Sequence, residues 1–339
     1  MTLSYSLDFK QGRAWITGMT VISTLSLCCM ATAASAQATS AQTTSLPPAI
    51  NLASGKTQAE AVAADPAPTA PSEETGVAAY FTNWFRRVAK AQSEQPSWLA
   101  LLNTPPPFLV EQLRYDQYIE HLGNDASVRN FGVNKGIQLI PTGTEEVDIT
   151  IPAYMERENR TPATGFSDWQ FALFKQRLVS AGPQNGNYVA SAWLSATAPT
   201  GSSKFTNHVY FLSPNIGGGK GWGNFDIQAT FGASIPTSRS HLYGTSLIGN
   251  MAFQYRFEKL IWPEVEFNWT EWLNGTQRGG KNQLFMTVGA ILGKFKIRDR
   301  LGVVIGAGYQ FPLAPSYRAT PAILPAYSRN WVATLRMPF

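Results

Sequence analysis

His121, His208 and His241 are the chain's three imidazoles, and they bound any acid–base or nucleophilic chemistry. A Ser–His hydrolase needs hydroxyl and imidazole on facing positions, with a third group to orient the ring. Ser240 adjoins His241, but neighbours along an extended strand point to opposite faces and cannot meet. Scattered histidines without a short ligand spacing also make a poor metal site. Gly217-Gly218-Gly219-Lys220-Gly221 has the glycines of a phosphate loop. Such a loop places Gly-Lys-Ser/Thr between a strand and a helix. Here Trp222 and another strand pattern follow, so the run reads as a tight turn. The formal charge of +5 is not gathered into a basic stripe, and nucleic acid is not an expected partner. The reading is therefore a non-enzyme with no cofactor and no metal.

What remains is Arg114, Asp116, Asp226, Arg256, Glu264 and Glu266, charged residues embedded in segments of period two. Phe225, Ile227, Ala229, Phe231, Ala233 and Ile235 alternate with Asp226, Gln228, Thr230, Gly232 and Ser234. Strands are expected over 108–119, 133–141, 146–154, 168–178, 187–198, 207–219, 224–236, 246–257, 263–273, 282–293, 301–311 and 330–339. One apolar and one polar face per strand, with an even strand count, is the pattern of an antiparallel barrel that is oily outside and wet inside. The segments between strands sort by parity: those starting with 120–132 are longer than those starting with 142–145. External loops above short periplasmic turns have that asymmetry. Trp169, Trp272 and Trp331 then fall near one rim, and Trp222, Trp262 and Phe339 near the other, as two aromatic girdles. The six charged residues would line the lumen and a solute pathway. Arg256 and Glu264 flank the turn at 258–262 and are expected to face each other. In the fourth strand, a bulge near Phe174 would turn Lys175 and Arg177 inward. The side of Trp193 is left open by its parity with Ser191 and Ser195.

Upstream, Lys10 and Arg13 precede an apolar run to Met30, and Ala34-Ser35-Ala36 follows. This reads as a cleaved export signal over 1–36. It takes Cys28 and Cys29 with it, and no disulfide is expected afterwards. Residues 37–75 are rich in Ala, Thr, Ser and Pro and read as a disordered linker. Tyr80, Phe81, Trp84, Phe85 and Val88 have helical spacing. The expectation for 76–107 is a periplasmic amphipathic helix and connector, the helical stretch 76–91 packing at the rim or lying on the inner leaflet, with a barrel plug as the alternative for that stretch. The barrel itself is assigned to 108–339.

The closing strand, with Trp331, Leu335 and Phe339 on one face, resembles the C-terminal insertion signal of bacterial outer-membrane proteins. Further stretches resemble the "MetA-pathway of phenol degradation" group of outer-membrane proteins. They include Asn83-Trp84-Phe85-Arg86-Arg87-Val88, Arg114-Tyr115-Asp116, Ala198-Pro199-Thr200-Gly201, Gly219-Lys220-Gly221-Trp222-Gly223 and Trp262-Pro263-Glu264-Val265-Glu266. The resemblance implies a barrel of twelve-stranded type in the outer membrane. It also implies passive passage of small molecules, hydrophobic or aromatic ones included, with membrane lipid and the insertion machinery as partners. A non-conducting barrel acting through its external loops is the alternative, and an outer-membrane enzyme a more distant one.

Overall fold

Alternation of apolar and polar residues builds a single antiparallel sheet that closes on itself. The computed structural model describes residues 76–122, 126–159, 161–315 and 326–339. The expected export signal (1–36) and linker (37–75) lie outside the described residues. Fifteen strands make twelve staves. β1 (Gln112–His121) is the first. β2 (Ser127–Phe131) and β3 (Gly136–Leu139) share the second, β4 (Glu145–Thr150) and β5 (Tyr154–Glu158) the third, and β6 (Ala163–Phe166) and β7 (Trp169–Ala181) the fourth. Eight single strands follow: β8 (Tyr188–Ala198), β9 (Phe211–Trp222), β10 (Phe225–Pro236), β11 (Ser246–Tyr255), β12 (Ile261–Trp272), β13 (Lys281–Lys296), β14 (Gly302–Ala314) and β15 (Arg329–Pro338). β15 pairs with β1 from Gln112↔Pro338 to His121↔Arg329, which seals the cylinder. Closure pairs the first and last staves; among the described residues the short β6 keeps a strand partner on one side only, β5.

The split staves have local causes. Gly132 and Asn134, both at positive φ, open a turn between β2 and β3. Pro152, which has no N–H to pair, separates β4 from β5. The pieces β2, β5 and β6 occupy stretches expected to be external loops. As a result, the connections at 122–126 and 159–162 are no longer than the turn at 182–187. Sorting of connections by parity holds only for the later staves.

Leu113, Phe231, Val288, Ile305, Trp331 and Leu335 are exposed on the outside, whereas Asp116, Gln228, Glu266, Thr287 and Arg336 are buried inside. The ladder of β7 against β8 slips between Ala172 and Phe174. That bulge turns Lys175 and Arg177 inward, where both are buried. Trp193 is also interior. Two aromatic placements need correction. Trp262 and Trp272, expected in the girdles, are 4% and 9% exposed. They share the inward parity of Glu264 and Glu266 along β12, so they face the lumen. The glycine run is likewise no turn. It lies within β9, and the turn is confined to 223–224.

α1 (Val77–Thr82) and α2 (Trp84–Ser93) lie at the end with the short turns, called here the turn end. Trp84 Nε1 donates to Glu111 Oε1 at 2.7 Å, Tyr80 Oη donates to the Pro141 carbonyl, and Arg300 donates to the Phe85 carbonyl. The connector to residue 107, expected outside the barrel, is instead inside it. β1 begins only at Gln112, because 95–111 is taken up as a plug. A further short helix, α3 (Ser240–Tyr243), lies between β10 and β11 at the opposite, loop end.

Candidate functional site: a plugged lumen

Residues 95–111 form no helix or strand after α2, so their peptide groups need partners other than a ladder. The barrel wall supplies them. Glu264 Oε1 accepts the Leu102 N–H at 2.9 Å. Glu266 accepts from Asn103 N at 2.9 Å and from Thr104 N at 2.6 Å. On the carbonyl side, Arg114 donates to the Leu102 oxygen at 2.9 Å, and Arg336 donates to the oxygens of Ala100 and Leu101. Pro105, Pro106 and Pro107 carry no N–H. Ser191 and Lys175 donate to the carbonyls of Pro107 and Phe108, and Glu146 accepts from Val110 N. Gln95 clasps the far end of the segment, donating to the Leu109 carbonyl at 2.6 Å and accepting its N–H at 3.0 Å.

The charges that hold the plug are themselves paired. Arg114 lies 2.8 Å from Asp116, and Lys175 lies 2.8 Å from Glu146. Asp116 also accepts from Asn134 and Thr334. A buried charge stripped of its partner is strongly destabilising, so plug and wall charges form one interdependent set.

Apolar side chains of the plug are received by glycines. A Cβ added at Gly219 would meet the Trp98 ring at 2.6 Å; one added at Gly289 or Gly308 would meet Leu102 at 2.5 or 2.6 Å. The glycines thus recess the wall where Trp98 and Leu102 insert. Together with Phe108, Val189, Trp262, Ile291, Val304 and Val332 these make the main buried cluster.

Toward the loop end the interior wall from β10 to β14 is neutral. Asn250 donates to Thr230, Asn268 to Asn250, and Gln310 to both Asn268 and Thr287, each at 2.9 Å. This amide belt runs around β10 to β14. Asn103 at the tip of the plug joins it, donating to Thr287 and accepting from Tyr118 at 2.8 Å each.

Of the six lumen residues singled out in the sequence, Arg114, Asp116, Glu264 and Glu266 converge on the plug. Asp226 lies apart, beside Gln228, which donates to its Oδ1 at 2.9 Å. Arg256 is at the rim. It does not face Glu264, because the register pairs Gln254 with Glu264 and Gln254 donates to that carboxylate at 2.9 Å. Arg256 instead donates to Asn224 Oδ1 at 3.0 Å and lies over the Trp262 ring. Trp331 and Leu335 are on the outer face, and the Phe339 N–H reaches the Glu111 carbonyl at 3.3 Å. Parity reading had Arg336 facing inward but gave it no role, and it missed Glu146 and the glycine recesses as holders of the plug.

No family model matches the chain, and no curated protein does. In shape it is similar to three solved barrels. One is the COG4313 outer membrane channel from Pseudomonas putida F1, with TM-score 0.43 and 11% identity, over 68% of this chain and 96% of that one. Another is the transport unit of the autotransporter AIDA-I from Escherichia coli, with TM-score 0.37 and 13% identity, over 75% and 97%. The third is OmpT, an outer membrane protein of Vibrio cholerae, with TM-score 0.28 and 9% identity, over 68% and 96%. Likenesses of this size say nothing about what the chain carries.

Proposed function

We propose that this chain is an outer-membrane channel for small molecules, hydrophobic or aromatic ones included, closed at rest by its own residues 95–111. The observation that carries the reading is the way the plug is held. Its main chain is bound by Glu264, Glu266, Arg114, Arg336, Lys175 and Glu146. These are hydrogen bonds that water or a polar solute can take over one at a time. Apolar contact comes from the buried side chains of Trp98, Ala100, Leu101, Leu102, Phe108 and Leu109. Beyond the plug, the amide belt offers exchangeable donors and acceptors to a passing solute. In this reading the apolar outer face meets outer-membrane lipid, and residues 1–36 direct export. Trp331, Leu335 and Phe339 present the last strand to the insertion machinery.

Planar-bilayer recording tests it. The full chain should be closed for most of the record, and Glu264→Gln/Glu266→Gln should give frequent single-channel steps. A second reading, a non-conducting barrel that acts through its loop end, rests on the same filled lumen. A folded double variant that stays silent would favour that reading.

A further inference from the structure

α1 and α2 carry an apolar stripe left in the open. Val77, Phe81 and Phe85 are 75%, 65% and 49% exposed. They recur every fourth residue, and helical bonding runs across the junction, from Asn83 N to the Ala79 carbonyl and from Arg87 N to that of Asn83. The three therefore share one face. The other face is occupied: Val88 and Ala91 are buried with Leu109 and Ile140, and Trp84 packs against them. Tyr80 Oη donates to the Pro141 carbonyl at 2.9 Å, and Arg300 donates to that of Phe85 at 3.1 Å. These bonds tie the pair to two turns of the wall, and between those turns stand β14, β15, β1 and β3. The helices thus follow the rim of these staves. At the same rim the outer face of the barrel is apolar, with Leu113, Phe295, Ile297, Ile305 and Leu335 exposed.

Cations gather beside the stripe. Arg86 and Lys90 are exposed on α2, and Lys296, Arg298 and Arg300 are exposed at the β13–β14 turn. Among the described residues none of the five has a carboxylate within ion-pair distance, whereas the interior Arg114, Lys175 and Arg177 each have one. Asp299 is the one acid in 294–301, and 76–93 contains none. The Arg300 guanidinium lies 4.5 Å from the Phe85 ring centre, which joins the cations to the stripe. Aromatic side chains flanked by free cations fit a surface of acyl chains topped by negative phosphates. We infer that α1 and α2 dock on the membrane leaflet at the turn end, with Phe81 and Phe85 among the acyl chains and the five cations on the headgroups of anionic phospholipids. Docking rests on the membrane placement of the barrel proposed above, and not on conduction. α2 ends two residues before Gln95, so a docked helix also anchors the outer end of the plug.

The test is a spin-label depth measurement on the full chain folded into vesicles. Its two cysteines are first removed by Cys28→Ser/Cys29→Ser, and one label at a time is placed through Phe81→Cys, Val288→Cys or Gln184→Cys. Oxygen reports contact with lipid, and a nickel chelate reports contact with water. In phosphatidylcholine mixed with phosphatidylglycerol, the label at 81 should favour oxygen, as the one at 288 on the outer face does, while the one at 184 in an exposed turn favours the chelate. With Arg86→Gln/Lys90→Gln the docking equilibrium should fall about fivefold for each charge removed. In phosphatidylcholine alone the label at 81 should likewise move toward water. Equal depth in the two lipids would overturn the assignment to anionic phospholipid. A label at 81 that favours the chelate in both would overturn docking, and so would one shielded from both probes, the mark of a protein partner or a second copy. If the label at 288 also favours the chelate, the membrane placement falls; if it stays in lipid, only the docking of the helices does.

Discussion

The two halves of the barrel interior satisfy polar groups in different ways. Toward the turn end the wall carries ionisable residues, Arg114, Asp116, Glu146, Lys175, Glu264, Glu266 and Arg336, most of which bond to the main chain of the plug. Toward the loop end it carries Thr230, Asn250, Asn268, Thr287 and Gln310, which bond sideways to one another. Charge is used where a fixed array of peptide groups and counter-charges is at hand. Neutral amides are used where wall residues have mainly each other. A charged group in low dielectric gains most from partners that are already in place, and an extended segment tied at Gln95 and Leu109 supplies them.

The sharpest way to break this contrast is to remove charge from the plug-holding half. In Glu264→Gln/Glu266→Gln each carboxylate that accepts main-chain N–H groups is replaced by an amide of the same size that accepts less strongly. Loss of one member of a buried charged set costs about 3–5 kcal/mol. Residues 95–107 should become cleavable by protease in the folded barrel, and the temperature of unfolding should fall. Protection equal to that of the unaltered chain would show that apolar insertion alone holds the plug.

Next in size is the fit of Trp98 against the wall. Gly219→Ala would press its methyl on the Trp98 ring at 2.6 Å, whereas at Gly218 the nearest atom is at 3.3 Å. Overpacking a filled site costs about 1–3 kcal/mol. Gly219→Ala should therefore raise protease sensitivity of the plug, and Gly218→Ala should do so far less. Equal behaviour of the two variants in the cleavage assay would remove the recess from the account.

How much of this was legible in the sequence follows from the same contrast. The barrel was, because period-two alternation such as that from Phe225 to Ile235 encodes which side meets the core. The plug's place was not, since 95–111 has neither period and several of its contacts are to residues more than 150 positions away, Leu102 to Glu264 among them. Parity identified Glu264 and Glu266 as interior, but it could not say whether they faced water or a main chain. The same parity placed Trp262 and Trp272 inside. Reading them as girdle residues gave residue type precedence over position. The interrupted staves were missed because Gly132 looks like loop punctuation and the strand expected over 146–154 ran through Pro152 without a break; only the partner strands show where each ladder stops and resumes.

Smaller effects are expected in the loop-end half. Asn268→Ala removes a donor to Asn250 and an acceptor for Gln310. Leaving buried amide partners unmet costs about 1–3 kcal/mol. Thermal unfolding should register that loss, while protease protection of 95–107 stays as in the unaltered chain. Release of the plug by this change would merge the two halves into one cooperative unit and end the distinction between them.

The smallest expected effect is at the rim, where Glu111 joins the plug to β1 beneath α2. Burial raises its carboxyl above the ordinary value of 4.5, against the opposing pull of hydrogen bonds from Trp84 and the Ile140 N–H and of the charges of Arg300 and Arg87. A carboxyl raised by folding holds its proton more tightly in the folded chain than in the unfolded one. Its contribution to stability is therefore complete below the ordinary value and declines as pH rises through the raised one. Glu111→Gln should cancel that decline while keeping a side chain able to accept from Trp84 Nε1. Thermal unfolding of both proteins, followed from acid toward neutral pH, gives the comparison. The two curves should diverge as Glu111 ionises, with the variant the less pH-dependent. Parallel curves over that interval would mean that the hydrogen bonds and the two guanidinium groups fully offset the burial of Glu111.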